Sequence, residues 1–172
     1  TTDADIVFPP NFLEIVMRNV RPERVLYCYP HYLPKGFEDW GDLFAYQGKL
    51  PLGNTNARGG CQVVPRKPFF HLGGFDEYYR YWGIEDRDLH HRLISLGLQE
   101  FWLNDQTSIF HQWHAQVDYS TSNFMPHGFW GRANVHYYRY LDVLIRNDDH
   151  WGRIRKTEER QALRFLNFET RQ

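Results

Sequence analysis

The chain has 172 residues and a formal net charge of −1. One domain accounts for that length, which can bury a sizeable core. Such a balance sets up no global field to recruit nucleic acid or an anionic membrane, and no apolar run reaches the ~20 residues of a membrane-spanning helix. Aromatic residues are the outlier: 13 Phe, 11 Tyr and 6 Trp suit either a ring-rich core or stacking platforms for sugar rings and bases. Cys28 and Cys61 match no metal spacing and no disulfide framework, and read as buried free thiols. No signal peptide is visible. A functional-looking motif already at position 3 leaves room for a targeting or anchoring segment upstream in a longer parent protein.

Ile6-Val7-Phe8 reads as a short buried strand broken by Pro9-Pro10, after which Asn11 is placed to cap a short helix carrying Phe12, Leu13, Ile15 and Val16. Residues 25–29 read as a strand closed by Pro30. Residues 30–60, rich in Pro and Gly without a clear period, read as a long loop with short elements. Residues 62–64 form a short strand ended by Pro65. The best helix spans Asp86 to Leu96, with Leu89, Leu93 and Leu96 on one face and Gly97 as its stop. Strands are expected at 100–103 and 108–111, and a mobile loop at 115–128. A long aromatic helix is expected at 129–146, with Tyr137, Leu141, Leu144 and Ile145 on one side, and a charged terminal helix at 155–166. Strands mixed with helices make the chain α/β, and apolar strands such as 6–8 suit a sheet covered on both faces.

Three pieces carry chemistry. In Asp3-Ala4-Asp5, two carboxylates at i and i+2 beside a buried strand can hold a divalent cation, Mn2+ or Mg2+, that also grips a diphosphate; a solvated turn or a helix cap explains the same pattern. In Trp82-Gly83-Ile84-Glu85-Asp86, Asp86 falls at a helix start, where the N-terminal dipole favours a carboxylate. It reads as an N-cap, and also as a general base for a sugar hydroxyl, with Glu85 beside it and a close-approach glycine before it. The third piece is His111 and His114: imidazole can complete a Mn2+ site of carboxylate and phosphate ligands, or serve a structural role. A zinc site would want this i, i+3 pair on a helix, whereas the segment reads as strand then loop. His90-His91 lies mid-helix and faces two directions.

Read in order, Asp3-Ala4-Asp5, Gly73-Gly74-Phe75-Asp76-Glu77, Trp82-Gly83-Ile84-Glu85-Asp86-Arg87-Asp88-Leu89 with Arg92-Leu93, and Phe110-His111 resemble the catalytic half of GT-A glycosyltransferases of the galactosyltransferase and chondroitin-polymerase type. The resemblance covers roughly residues 1–114. It implies the C-terminal part of a GT-A mixed sheet flanked by helices, with residues 1–128 as an acceptor- and metal-binding half and 129–172 as a helical C-terminal extension. By the same resemblance, Asp5 ligates the metal and Asp3 contacts the donor ribose or a metal-bound water. Asp86 is the base of an inverting transfer, and Glu85, Trp82, Gly83 and Gly74 attend the substrates. His111 is the third protein ligand, with His114 as the alternative. Where the family often has a second glycine this chain has Ile84. The implied partners are a nucleoside-diphosphate sugar, above all a UDP-sugar, and a glycan acceptor, not nucleic acid; a nucleotide-binding half is expected from upstream sequence or another chain. The family works both on the cytoplasmic side of bacterial membranes and in secretory lumens. Two competing readings remain at this stage: a carbohydrate-binding or scaffolding module that keeps the fold without turnover, and a metal-dependent phosphoester hydrolase, which would want more converging histidines and acids.

Overall fold

A computed structural model describes residues 1–152 apart from Gln47, Asn54, Thr55, Ala57, Trp82, residues 116–127 and His150. In chain order the elements are β1 (Ile6–Val7), α1 (Phe12–Asn19), β2 (Arg24–Tyr27), β3 (Pro30–Tyr32), a 3-10 helix (Trp40–Tyr46), β4 (Gln62–Val63), α2 (Arg66–His71), α3 (Glu85–Ser95), β5 (Gln99–Trp102), β6 (Ile109–His111) and α4 (Phe129–Arg139). They form two small mixed sheets, β4-β2-β5 and β1-β6-β3. In each, the central strand pairs antiparallel on one side and parallel on the other: β2 with β4 and β5, β6 with β1 and β3. The fold is therefore mixed α/β, as the pattern of short apolar runs between helical segments predicts.

The chain passes between the sheets four times, and the passages from β2 to β3 and from β5 to β6 are the short ones. At the crossing the Asn104 side chain acts as a substitute strand. Its Oδ1 accepts the Tyr29 N–H at 3.0 Å and its Nδ2 donates to the Tyr29 carbonyl at 3.0 Å, so neither backbone group is stranded between the sheets.

β2 is buried on both faces, which is why it reads as an unbroken apolar run. Leu26 packs in a core with Ile109, Leu103 and the α1 residues Phe12, Ile15 and Val16. Val25 and Tyr27 pack on the other side with Leu72 and the α3 residues Leu89 and Leu93. Each fully buried Leu, Ile or Val contributes roughly 1.5–3 kcal/mol, so these two layers fix α1 and α3 against opposite faces. Gly97, at φ 98°, ends the α3 region, and the Leu98 N–H closes back on the Leu93 carbonyl at 3.1 Å. Cys28 and Cys61 continue the β2–β4 ladder, buried and free, with burial pushing their thiols up to about 12 and about 11.

Several expectations need correction. The Asn11 side chain makes no capping bond, and Leu13 is 74% exposed rather than packed. α2 is a helix that the sequence does not announce: none of its residues is buried, so no apolar period marks it. α3 starts at Glu85, and its N-cap is Ile84, not Asp86. α4 stops at Arg139 rather than at 146, with Tyr137 buried but Ile145 exposed. Arg146 and Asn147 account for the early stop. Arg146 donates to the Tyr140 carbonyl at 2.6 Å and pairs with Asp88. Asn147 donates to the carbonyls of Gly73 (2.7 Å) and Phe75 (2.6 Å) and accepts the Glu77 N–H at 2.9 Å. A continued helix could not make these contacts. The expected helix at 155–166 and residues 116–127 of the expected loop lie outside the described residues. Among the described residues, no helix is long and apolar enough to cross a membrane.

Asp88 and Arg92, both fully buried, pair at 2.8 Å one turn apart on α3. Removing one partner of a buried pair costs about 3–5 kcal/mol when the other charge is left alone, but here Arg146 would still pair with Asp88. Arg92→Ala is accordingly expected to lower the stability measured by urea unfolding by no more than about 3 kcal/mol, and the double variant Arg92→Ala/Arg146→Ala, which strands Asp88, by clearly more than the sum of an exposed-site control such as Arg18→Ala and the single change.

Candidate active site

The register of β1 on β6 builds the first part of the site. Ile6 pairs with His111 and Val7 with Phe110, and the Gln112 N–H donates to the Asp5 carbonyl at 2.9 Å. Asp5 therefore lies at the end of β1 beside the chain leaving β6. Its Oδ2 is 3.4 Å from His111 Nε2 and 3.3 Å from His114 Nε2. One ligand atom from each of Asp5, His111 and His114 lies within 4.8 Å of the other two. The structure thus brings both histidines to Asp5.

The hydrogen bonding of His114 sharpens this arrangement. Its Nδ1 lies 3.0 Å from the Ala115 carbonyl, which can only accept, so Nδ1 carries the proton. In a neutral ring, Nε2 then presents a lone pair towards a carboxylate oxygen that also has only lone pairs. A cation or a second proton relieves that opposition. Ligand atoms sharing one ion at 2.0–2.2 Å sit on the order of 3 Å apart when they are at right angles, close to the two Asp5 separations. Two imidazoles and one carboxylate with open positions fit Mn2+, and by donor type also Fe2+ or Zn2+.

The other acids share the same electrostatic field. Burial raises the Asp3 carboxyl, Asp5 raises it further, His111 lowers it, and Asp86 raises it. Burial likewise raises Glu85; its own N–H and that of Gly83 oppose the rise, while Asp86 and Asp3 add to it. The amino-terminal segment is placed by Cys61 and Gln62: Thr2 bridges to Cys61, and the Thr1 ammonium donates to the Gln62 carbonyl at 2.7 Å. Three distant stretches of sequence, 3–5, 85–86 and 111–114, therefore converge at the strand ends.

Asp86 is held in a way the sequence did not announce. Its Oδ2 accepts the N–H groups of Arg58 (2.6 Å) and Gly59 (2.8 Å), and its Oδ1 accepts the Arg87 N–H at 2.7 Å. The carboxylate pins the 58–59 loop as well as standing at the start of α3. A Gly59-Gly60 pair is the one local hint of such a close approach. Glu85 Oε2 is buried without a hydrogen-bond partner among the described residues.

The remaining predicted residues divide. Gly83 has φ 101°, and a Cβ there would lie 2.2 Å from the Trp130 ring, so its glycine is required by packing on α4. Gly74, at φ 70°, is buried against Trp151 and Phe69, where a Cβ would also clash. Trp82 lies outside the described residues. His90 and His91 each have local partners, the Tyr27 hydroxyl at 2.9 Å and the Leu141 carbonyl at 3.2 Å.

Residues 42–116 match the family model described as the N-terminal domain of galactosyltransferase. Over those residues the chain is similar to galactosyltransferases. The matched region contains Glu85, Asp86, His111 and His114, while Asp3 and Asp5 lie outside it, well towards the amino terminus. The chain is also 27% identical over 119 residues to chondroitin sulfate synthase 3 from Homo sapiens, across 65% of this chain and 13% of that protein. It spans only that small share of its relative's length. No solved structure matches the chain.

If Asp5, His111 and His114 hold one cation, His114→Ala and Asp5→Asn should each weaken Mn2+ binding at least tenfold in calorimetry or in titration followed by electron paramagnetic resonance, on the scale of ligand-sphere substitutions. His114 is 57% exposed at its side chain, so its loss should leave the melting temperature unchanged. Unaltered Mn2+ affinity in both variants would sink the site.

Proposed function

We propose that this chain carries the acceptor- and metal-binding half of a metal-dependent, inverting glycosyltransferase, which moves a sugar from a nucleoside-diphosphate donor, a UDP-sugar, to a hydroxyl of a glycan acceptor. The supporting observation is the convergence of Asp5, His111 and His114 beside Asp3, Glu85 and Asp86. Residues 1–128 carry these groups. Residues 129–172 are assigned to a C-terminal extension, whose described part carries α4 and braces the 73–95 region through Arg146 and Asn147.

In this reading Asp5, His111 and His114 would hold Mn2+ or Mg2+, and the cation would supply charge neutralisation for the departing diphosphate. Asp3 orders the donor next to them. Asp86 takes the proton from the acceptor hydroxyl as that oxygen attacks the anomeric carbon from the face opposite the leaving diphosphate. The two amides on Oδ2 fix the direction of the carboxylate before the acceptor arrives, which removes an orientational cost from the step. Glu85, with a buried oxygen that has no partner among the described residues, is the group available to hold an acceptor hydroxyl, with Trp82 and Gly83 assigned to the acceptor by the resemblance. The amide bonds on Asp86 also support a second reading: a carbohydrate-binding module in which Asp86 serves only to pin the 58–59 loop.

Asp86→Asn separates the two readings, because the asparagine oxygen can still accept from Arg58 and Gly59. Transfer from a panel of UDP-sugars with Mn2+ is expected to fall by about 10²–10⁴, the usual contribution of a general base, with Mn2+ affinity retained. Full transfer by Asp86→Asn would remove Asp86 as base, and no transfer by the wild-type full-length parent would leave the module. A second prediction follows from Glu85. Its carboxyl is raised in the folded state, so the protonated form is favoured there. That contribution is complete below the unfolded pKa and is lost as pH rises through the folded one. Glu85→Gln should therefore raise thermal stability relative to wild type at pH 7.5 and do so less, or not at all, at pH 4 in the absence of metal.

A further inference from the structure

Cys28 and Cys61 stand at the end of the β2–β4 ladder and take no part in the proposed chemistry. Leu26 pairs with Val63 and Tyr27 with Gln62, and the Cys28 N–H donates to the Cys61 carbonyl at 3.2 Å. The antiparallel register therefore sets Cys28 directly opposite Cys61. Side chains alternate along a strand, so Cys28 shares a face with Leu26, and Cys61 with Val63. All four belong to one apolar layer, which puts both thiols on the same side of the sheet. Hydrogen-bonded residues across an antiparallel pair have Cα atoms about 5.5 Å apart, and the commonest Cα separation in disulfides is about 5.5–6 Å. Both thiols are free here; joining them asks for rotation of two side chains rather than movement of the strands. The chain has no third cysteine to compete.

Cys61 is also where the amino-terminal segment is attached. Thr2 bridges to it, the Thr2 hydroxyl donates to the Gly60 carbonyl at 2.9 Å, and the Gln62 N–H donates to the Thr1 carbonyl at 2.9 Å. Two residues before Cys61, the Gly59 N–H binds the Asp86 carboxylate. A covalent link from Cys61 to β2 would tie the acidic turn of Asp3 and Asp5 and the 58–59 loop to one buried strand. It would also close the ends of the long excursion 29–60, and cross-linking a loop of that length removes more freedom from the unfolded chain than cross-linking a short one.

We propose that Cys28 and Cys61 form a disulfide when the protein folds in contact with a small-molecule disulfide oxidant, and that this cross-strand bond clamps the amino-terminal acidic segment to β2. Two S–H bonds break and one Sγ–Sγ bond forms; the two electrons and two protons pass to the oxidant, which leaves as two thiols. Burial keeps both thiols protonated at neutral pH, and the thiolate is the attacking species, so the bond closes while the strands are pairing rather than after they are sealed. The proposal concerns the scaffold and stands apart from whether the chain transfers sugar.

The test refolds the full-length parent protein from its reduced, unfolded state in a mixture of reduced and oxidised glutathione at mildly alkaline pH. The product is blocked with iodoacetamide in denaturant and digested. Mass spectrometry should find the Cys28 peptide joined to the Cys61 peptide as the major form, and the joined species should vanish on reduction with dithiothreitol. The oxidised protein should melt several degrees above the reduced one, and its Gln62 amide should exchange with solvent roughly fivefold more slowly. Cys28→Ala should lose both differences between oxidising and reducing conditions; because each comparison is made within one variant, any cost of the substitution to the fold cancels. Recovery of both cysteines alkylated, or each capped by glutathione, overturns the bond. A joined peptide with unchanged Gln62 exchange overturns the clamp.

Discussion

The pairing of β1 on β6 is the constraint on which the site depends. With Ile6 opposite His111, Ile6 joins the core under α1, and Asp5 falls where its carboxylate meets both imidazoles. A slip of one residue would turn Ile6 out of that core and carry Asp5 away from the histidines together. The register is therefore locked by burial, and the Asp5–His111–His114 cluster inherits its geometry from the core rather than from any local preference of Asp3-Ala4-Asp5. The antiparallel bridge from Thr2 to Cys61 adds a second anchor, so the acidic turn is held on both sides.

The acid-rich segment 76–88 divides into two chemistries by burial. Asp76 and Asp88 face inward. Asp76 pairs with His136 at 2.8 Å, Asp88 pairs with Arg92 and Arg146, and Asp76 also lies 3.5 Å from Arg146. These contacts tie α3, α4 and the 146–147 turn into one unit. Glu85 and Asp86 face the strand ends. On a helix, Asp88 stands two residues from Asp86, about 200° around the axis, so one cannot serve the site while the other also does. The inner pair keeps the helix in place, and the outer pair can then act from a fixed position.

Much of this was legible from residue patterns. Leu89, Leu93 and Gly97 announced α3 because its apolar face is buried and its end needs a positive φ. His111 and His114 were visible as potential ligands, but whether one or both served depended on the turn after β6, which no spacing rule determines. α2 escaped because it buries nothing, and helical periodicity is a record of burial. The end of α4 escaped for a different reason. Leu141 and Leu144 continue the helical period, yet Asn147 and Arg146 are drawn to the carbonyls of Gly73 and Phe75 and to Asp88, contacts that outweigh local propensity. The hold of Arg58 and Gly59 on Asp86 was hidden because backbone donors carry no side-chain signature.

Ile84 shows how the outer pair is aimed. It is the one described non-glycine residue with positive φ, at 76°, a conformation that costs a β-branched side chain on the order of 1–3 kcal/mol. It is buried with Tyr79, Phe129, Ala133 and Tyr137, and burying an isoleucine returns a comparable amount. A glycine here would adopt the same turn without strain but would remove the isoleucine from the cluster of Tyr79, Phe129, Ala133 and Tyr137. The left-handed residue reverses the chain between Gly83, flat against Trp130, and Glu85, the first residue of α3. The direction of Glu85 and Asp86 is thus set by α4 through Ile84, which makes the helix at 129–139 part of the site's construction although it supplies no acid to it.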